Sequence, residues 1–278
     1  MTPFEKELQQ VTDLISLPEI YLKIQSLMDD PTSDIEDFSR VIGVDPNLSA
    51  KILQLVNSAY FGFAGSIESI SRAVKLIGIG QLHMMVLGIS AVSSLDYPND
   101  IVPLKSLWRS SLFCGCLSRE LGLHLNLRGG ERLFIIGLLH EIGHLVLYAK
   151  FPEQAKQVLQ HAAEQALRIE QAEQELLGCH YGEIGAKLMA QWKLSEDFQN
   201  LIRCQPNPGQ AEDNQVETAI LHIAHAYAQK QLIEPELPLH ETIDNAAWAI
   251  TGLSPDIVQQ NLDAALSKSA DMEKVIIR

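Results

Sequence analysis

The sequence predicts an all-α protein, and three observations point to this class. Apolar residues recur at helical spacing in nearly every segment, as Leu48, Ile52 and Leu55 do within residues 46–58. No two alternating apolar runs are joined by a two-residue turn, so no β-hairpin is indicated. The 278 residues are 46% apolar and 20% charged, which is ordinary for a globular chain with a sizeable core.

The individual helices are predicted from apolar periodicity and from their end signals. Asp45 is expected to cap the helix that begins at Pro46, since proline is well tolerated in a first turn. Asn57 is expected to end that helix, Ser66 to cap the next one and Gly78 to end it. The predicted helices cover about 19–28, 34–43, 46–58, 66–77, 79–94, 104–122, 131–149, 152–177, 181–192, 195–203, 215–231 and 255–267.

One segment is interpreted as a junction between two helical lobes. Residues 96–103, DYPNDIVP, contain two prolines, an asparagine and two aspartates, and they separate two apolar helices. The predicted lobes are therefore residues 1–98 and 104–278. A second loop, CQPNPGQAEDN at 204–214, interrupts the second lobe.

Charge and composition exclude several classes of function. The net charge is −14, which repels phosphate backbones, so no nucleic-acid partner is expected. The longest apolar stretch, LFIIGLL, is too short to span a bilayer, and the polar start MTPFEKELQQ is unlike a signal peptide. The four cysteines form no C-x-x-C motif, so a cytoplasmic protein with reduced thiols and no membrane association is expected.

The pentapeptide HEIGH at residues 140–144 fits the zinc-protease pattern H-E-x-x-H. On a helix, His140 and His144 would share a zinc ion while Glu141 activates its water. The metzincin extension is absent, because Leu147 and Lys150 stand at its glycine and histidine positions. A later glutamate remains possible as third ligand, but no motif selects one of Glu164, Glu170, Glu173 and Glu175.

HEIGH also has an interpretation without a metal. The flanking residues are apolar on nearly all sides, as expected of a central buried helix. His140 and Glu141 would then be buried polar groups that need hydrogen-bond partners. His144 would be a surface or core histidine with no ligand role.

Several stretches together resemble the HDOD domain family. The chain from LPEIYLKIQSLMDD to NSAYFG is similar to the start of that domain, and SIESISRAVKLIGIG and LWRSSLFCGCLSRELG follow in the expected order. GLLHEIGHLVL resembles the family's GLLHDIG helix, and GCHYGEIGAKLMAQWKL resembles its later histidine-containing segment. The resemblance covers about residues 15–230. It implies that HEIGH is the family's His-Asp motif with Glu141 in place of aspartate, and that His144 stands there by coincidence.

The resemblance also implies a fold and a chemistry. The family is related to the HD phosphohydrolases and to the HD-GYP cyclic-di-GMP phosphodiesterases, so the second lobe is expected to be an HD-domain-like helical bundle. In those enzymes an early histidine, the His-Asp pair and a late aspartate hold the metal. The metal generates a hydroxide that attacks a phosphate.

Carried over residue by residue, that metal site is altered. The early histidine aligns with Ser110, which is a poor metal ligand. His140 is retained, but Glu141 is one methylene longer than the usual aspartate. The later histidine aligns with Tyr181, and His180 stands one place early.

The remaining family positions are altered as well. A His-His pair would fall at Arg203 and Cys204, and the late aspartate aligns with His225. No catalytic or cofactor-binding residue is therefore expected, and no cofactor is predicted. A residual site for a divalent Fe, Mn or Zn ion stays open, with His140, Glu141, His180 and His225 as its candidates. His222, one helical turn before His225, could join it. The alternative is that these residues are satisfied polar groups in the remnant of an ancestral cleft.

The resemblance implies a non-catalytic regulatory module of bacterial signal transduction that acts by protein–protein contact. The alternative is a metal-dependent phosphohydrolase or phosphodiesterase, and Ser110 and Glu141 weigh against it. The two lobes take up the chain, with no receiver, GGDEF or EAL domain, so a separate signalling protein is expected to carry the output. The sequence names neither that partner, nor the input signal, nor the oligomeric state.

Overall fold

A computed structural model describes residues 3–12, 15, 17–94, 101–236 and 238–276, and within these ranges every regular element is a helix. The all-α prediction is therefore confirmed. The N-terminal helices are α1 (Pro3–Thr12), α2 (Glu19–Asp29), α3 (Ile35–Gly43), α4 (Pro46–Val56), α5 (Ile70–Ile77) and α6 (Ile79–Ser94). The periodicity missed α1.

The end signals of α4 and α5 are confirmed with one exception. Asp45 caps α4 by accepting the backbone N–H groups of residues 47 and 48, and Pro46 is the first helical residue. Gly78 ends α5 with a φ of 84°, a left-handed value that favours glycine. The prediction that Ser66 caps α5 is wrong. The cap is Ser69, whose hydroxyl accepts the N–H of Arg72 at 3.2 Å.

Asn57 ends α4, as predicted, and also closes the loop that follows. Its side-chain amide donates to the carbonyl oxygens of Leu53 and Ile67, each at 2.8 Å. Its side-chain oxygen accepts the N–H of Ile67 at 2.7 Å. The loop from 57 to 67 is thus tied at its two ends by one side chain.

The helices after residue 101 form the second part of the molecule. They are α7 (Leu104–His124), α8 (Gly130–Leu139), α9 (Ile142–Lys150), α10 (Pro152–Gln165), α11 (Ile169–Leu177), α12 (Tyr181–Gln191), α13 (Glu196–Cys204), α14 (Gln215–Leu232), α15 (Leu239–Thr242), α16 (Asn245–Thr251) and α17 (Pro255–Ile276). A short 3-10 helix, Pro208–Gln210, precedes α14.

Two of the predicted helices are broken in the structure. The predicted helix 131–149 divides into α8 and α9 at His140 and Glu141. The predicted helix 152–177 divides at Ala166, which has a left-handed φ of 53° and ends α10. The predictions also missed α15 and α16, and α17 extends beyond the predicted end at residue 267.

Helix α7 lies at the centre of the second part and packs against α8, α14 and α17. Helices α7 and α8 approach most closely at two glycines: a Cβ atom placed on Gly137 would lie 2.5 Å from the Cα of Gly115. A similarly close approach joins α9 to α12, where a Cβ on Gly143 would overlap the carbonyl of Tyr181. These glycines let α8 and α9, the two helices on either side of the His140–Glu141 break, lie directly against α7 and α12.

The ends of the chain connect the two parts. Helix α1 packs against α12, and the ring of Phe4 meets that of Phe151 edge-on at 4.9 Å. Helix α17 packs against both α7 and α4. Residues 96–100 of the predicted junction 96–103 lie outside the described residues. The division into lobes 1–98 and 104–278 stays a prediction.

The segment Gly130–Lys150 is long and apolar enough to cross a membrane by length and composition alone. However, 89% of its most apolar window is buried inside the protein. Such burial is typical of a core helix.

Candidate functional site

HEIGH lies at the break between α8 and α9 and not within one continuous helix. Glu141 has φ −97° and ψ 17°, which is outside the helical range, and α9 begins after it. At this break the His140 carbonyl oxygen accepts a hydrogen bond from the side-chain amide of Gln205 at 2.8 Å. His140 contacts His225, whereas His144 contacts Glu173, and His144 is not among the possible ligands that cluster with His140, as the zinc-protease motif would require.

His140 and His225 form a buried hydrogen-bonded pair. His140 Nδ1 lies 2.7 Å from the Gly137 carbonyl oxygen, and its Nε2 lies 2.8 Å from His225 Nδ1. Since a carbonyl only accepts, His140 Nδ1 carries the hydrogen, and His225 Nδ1–H donates to His140 Nε2. Burial lowers the pKa of His140 and lowers that of His225 to about 3. Both rings are neutral at pH 7.

Glu141 completes a group of three possible metal ligands with this pair. One ligand atom of each of His140, Glu141 and His225 lies within 4.8 Å of the others. Oε2 of Glu141 is buried and has no hydrogen-bond partner among the described residues. Two imidazoles and a carboxylate suit zinc, iron or manganese, so the donor chemistry fits one divalent ion.

The spacing of the pair is nevertheless that of a hydrogen bond. A tetrahedral zinc with Zn–N bonds of about 2.05 Å holds its two imidazole nitrogens about 3.3 Å apart. The nitrogens of His140 and His225 are 2.8 Å apart. The two ring nitrogens are therefore hydrogen-bond partners of each other.

Glu141 also belongs to a buried ionic group with His144 and Glu173. Oε1 of Glu141 is 3.7 Å from His144 Nδ1, and Oε1 of Glu173 is 3.2 Å from His144 Nε2. These are ion-pair contacts and not aligned hydrogen bonds, since neither ring nitrogen of His144 has a hydrogen-bond partner among the described residues. The other oxygen of Glu173 accepts the Tyr181 N–H at 2.7 Å.

The charges of this group follow from its contacts. Burial alone would lower the pKa of His144, but the carboxylates of Glu173 and Glu141 outweigh it and raise that pKa to about 10. Burial alone would raise the pKa of Glu141, but His144 and His140 lower it to about 2. At pH 7 an imidazolium therefore lies between two carboxylates. Sequence reasoning treated His144 as coincidental, and it named Glu173 only among four candidates.

Tyr181 packs against the ionic group of Glu141, His144 and Glu173, whereas His180 contacts Glu183. The Tyr181 ring is fully buried and stacks on His144 with 4.1 Å between ring centroids; it lies 6.1 Å from the ring of His225. His180 precedes α12, and its N–H donates to Glu183 at 3.0 Å. Of the four predicted candidates, the structure thus brings together His140, Glu141 and His225 and leaves His180 outside the group of possible ligands.

His222 is engaged elsewhere. Its Nδ1 donates to the Gln205 carbonyl at 2.7 Å, and its Nε2 accepts the Asp244 N–H at 3.0 Å. Ser110 is buried, and its hydroxyl has no hydrogen-bond partner among the described residues.

Two glutamines at the site were missed. The Gln205 amide supports the turn at His140, and that of Gln229 reaches Glu141 Oε1 at 3.4 Å. Gln229 follows His225 by one helical turn, so helical spacing could have indicated it.

Residues 14–208 match the HDOD domain family. A 28% identical protein of Treponema pallidum, which has no assigned function, aligns over 236 residues; these are 84% of this chain and 45% of that protein. The chain thus spans about half the length of that curated relative.

Two solved structures share the fold. One, from Shewanella amazonensis and provisionally named a phosphohydrolase, has a TM-score of 0.76 and 24% identity, with 97% of each chain covered. The other, from Marinobacter aquaeolei and provisionally named a signal transduction protein, has a TM-score of 0.72 and 23% identity. It covers 100% of this chain and 62% of that one.

Proposed function

Because this chain belongs to the HDOD domain family, we propose that it is a non-catalytic regulatory module that acts by contact with a separate signalling protein. The observation that carries the proposal is the internal pairing of the polar residues around HEIGH. His140 and His225 bond to each other, and Glu141 faces an imidazolium. A hydrolytic metal centre needs ligands that are free for the ion and an open position for water.

Tyr181 gives independent support. Its ring fills the space beside His144, and the aligned position of the family holds a histidine. A phenol ring offers no imidazole nitrogen, so this side chain contributes packing in place of a metal ligand. The setting we propose is bacterial and cytoplasmic, with no nucleic-acid or membrane partner, and the oligomeric state stays open.

A metal-dependent phosphohydrolase is the second candidate, and one observation favours it. His140, Glu141 and His225 are close enough to hold one divalent ion. Such an ion would supply a Lewis acid and a bound water of lowered pKa. The Gly137 carbonyl already fixes His140 as the tautomer whose Nε2 carries no hydrogen, as outer partners do for metal ligands.

Hydrolysis assays separate the two candidates. The purified protein is incubated with a phosphomonoester, a phosphodiester and cyclic-di-GMP, each with Mn²⁺, Fe²⁺ or Mg²⁺. We expect no turnover above background, and the same background from a His140→Ala variant. Turnover that is present in the wild type and lost in His140→Ala would overturn the proposal and establish the enzyme.

A further inference from the structure

A cavity of about 310 Å³ lies away from HEIGH, between the N-terminal helices and the helices that follow α7. Its walls come from the loop after α4, from one face of α6, from the start of α8 and from α13. The apolar lining is aromatic and methionine-rich, comprising Tyr60, Phe61, Met84, Met85, Phe134 and Phe198. Small-molecule sites typically have this composition and lie where two parts of a fold meet.

Among the described residues that line the cavity, only two are charged: Glu131 and Arg132. Both are about one-third exposed. Arg132 is held loosely: one nitrogen lies 3.4 Å from Asp197, itself more than half exposed, and its guanidinium lies over the Phe198 ring at 5.4 Å. An exposed pair of this kind contributes little, so most of the five N–H donors of Arg132 are available to a ligand.

Glu131 is held as loosely as Arg132. Its carboxylate has a contact of 3.9 Å with Arg119, and Arg119 pairs more closely with Glu120, at 3.2 Å. The cavity therefore has an apolar interior, one available cation and one available anion, and the two charges are adjacent in the chain.

We propose that this cavity binds a free α-amino acid with a large apolar side chain. The carboxylate would pair with Arg132, which suits the two-pronged geometry of a guanidinium. The ammonium would pair with Glu131. The side chain would lie among the aromatic rings and methionines, whose faces and flexible thioethers adapt to such groups.

The size and charge of the cavity exclude other ligand classes. Its volume is at the lower end for ligand sites, so most of a dinucleotide would lie outside it in solvent. A nucleotide would also bring phosphate charges against Glu131 and a chain of net charge −14. A purely apolar group, such as a side chain of a partner protein, would leave Glu131 and Arg132 with only their long contacts to Arg119 and Asp197.

The proposal concerns a site apart from HEIGH, and binding there does not depend on whether HEIGH is catalytic. Helix α8 nevertheless runs from the cavity, at Ile135, to His140. If the proposed regulatory function holds, the amino acid is an input signal transmitted along α8; this step alone rests on the proposed function.

Calorimetric titration tests the proposal with phenylalanine, tryptophan, leucine and methionine. We expect saturable binding of at least one, with a dissociation constant of about 0.1–1 mM for so few ligand atoms. Phenylpropionate lacks the ammonium and phenethylamine lacks the carboxylate, and each should bind at least about tenfold more weakly than phenylalanine. No saturable binding by any amino acid would overturn the proposal. So would binding of either analogue, or of a phenylalanine peptide with both ends blocked, that is as tight as the binding of phenylalanine.

Two pairs of variants locate the site. A side chain at Gly80 would meet no atom within 4 Å and stands on the α6 face that lines the cavity, so Gly80→Leu should abolish binding without unfolding the protein. Gly43 is equally open and lies outside the cavity, so Gly43→Leu is its control. Arg132→Gln should weaken binding about tenfold, and exposed Arg128→Gln should not. Unchanged binding in Gly80→Leu or Arg132→Gln would overturn the assignment.

Discussion

Removing Glu173 from the buried ionic group of Glu141, His144 and Glu173 is expected to destabilise the protein. This carboxylate is fully buried, contacts the imidazolium of His144 at 3.2 Å and accepts the Tyr181 N–H at 2.7 Å. Glu173→Ala leaves the imidazolium with Glu141 alone, at 3.7 Å, and orphans an N–H group at the start of α12. Breaking a buried ion pair from one side costs roughly 3–5 kcal/mol.

The expected loss lies near the lower end of that range, at about 3 kcal/mol, because the imidazole of His144 can release its proton once one carboxylate is gone. For a chain of this size, roughly 2 °C of melting temperature corresponds to 1 kcal/mol, so the melting temperature should fall by about 6 °C. Urea denaturation and a thermal scan measure both quantities.

Two further variants are controls for that measurement. Glu175 lies on the same helix and pairs with His161 at the surface at 2.8 Å, so Glu175→Ala should change stability by less than about 0.5 kcal/mol. Glu173→Gln keeps an acceptor for the Tyr181 N–H and loses only the charge. Its loss of stability should therefore lie between those of Glu173→Ala and Glu175→Ala. A loss below about 1 kcal/mol in Glu173→Ala would refute the inference that His144 is charged and depends on Glu173.

Three other outcomes are expected. A chelator should leave the melting temperature unchanged, because the residues around HEIGH pair with one another; a drop of several degrees that one divalent ion restores would show a bound metal. Glu141→Ala should lower stability by roughly 1–3 kcal/mol, since His144 keeps Glu173 as a partner. No peptidase activity is expected, because His140 and His144 face different partners; chelator-sensitive casein cleavage that Glu141→Ala abolishes would contradict this.

Local signals were sufficient for most of the fold. Asp45, Asn57 and Gly78 act on their own helix ends, so their roles were readable from neighbouring residues. The break at His140 was not readable, because the surrounding residues are apolar on all sides and contain no proline. The group that satisfies the free carbonyl is Gln205, 65 residues later in the chain. Similarly, nothing near Glu173 distinguishes it from Glu170 or Glu175; its role comes from where α11 places it.

His144 contacts both residues at which the resemblance to the family implies a change in the metal site. Glu141 stands where the resemblance implies an aspartate, and its longer side chain lies 3.7 Å from His144. Tyr181 stands where it implies a histidine, and its ring stacks on the His144 imidazole with 4.1 Å between ring centroids. An imidazolium there needs nearby carboxylates, whereas a metal ion would compete with it for Glu141. The residue that the sequence pattern left without a role is therefore the one around which the altered site is packed.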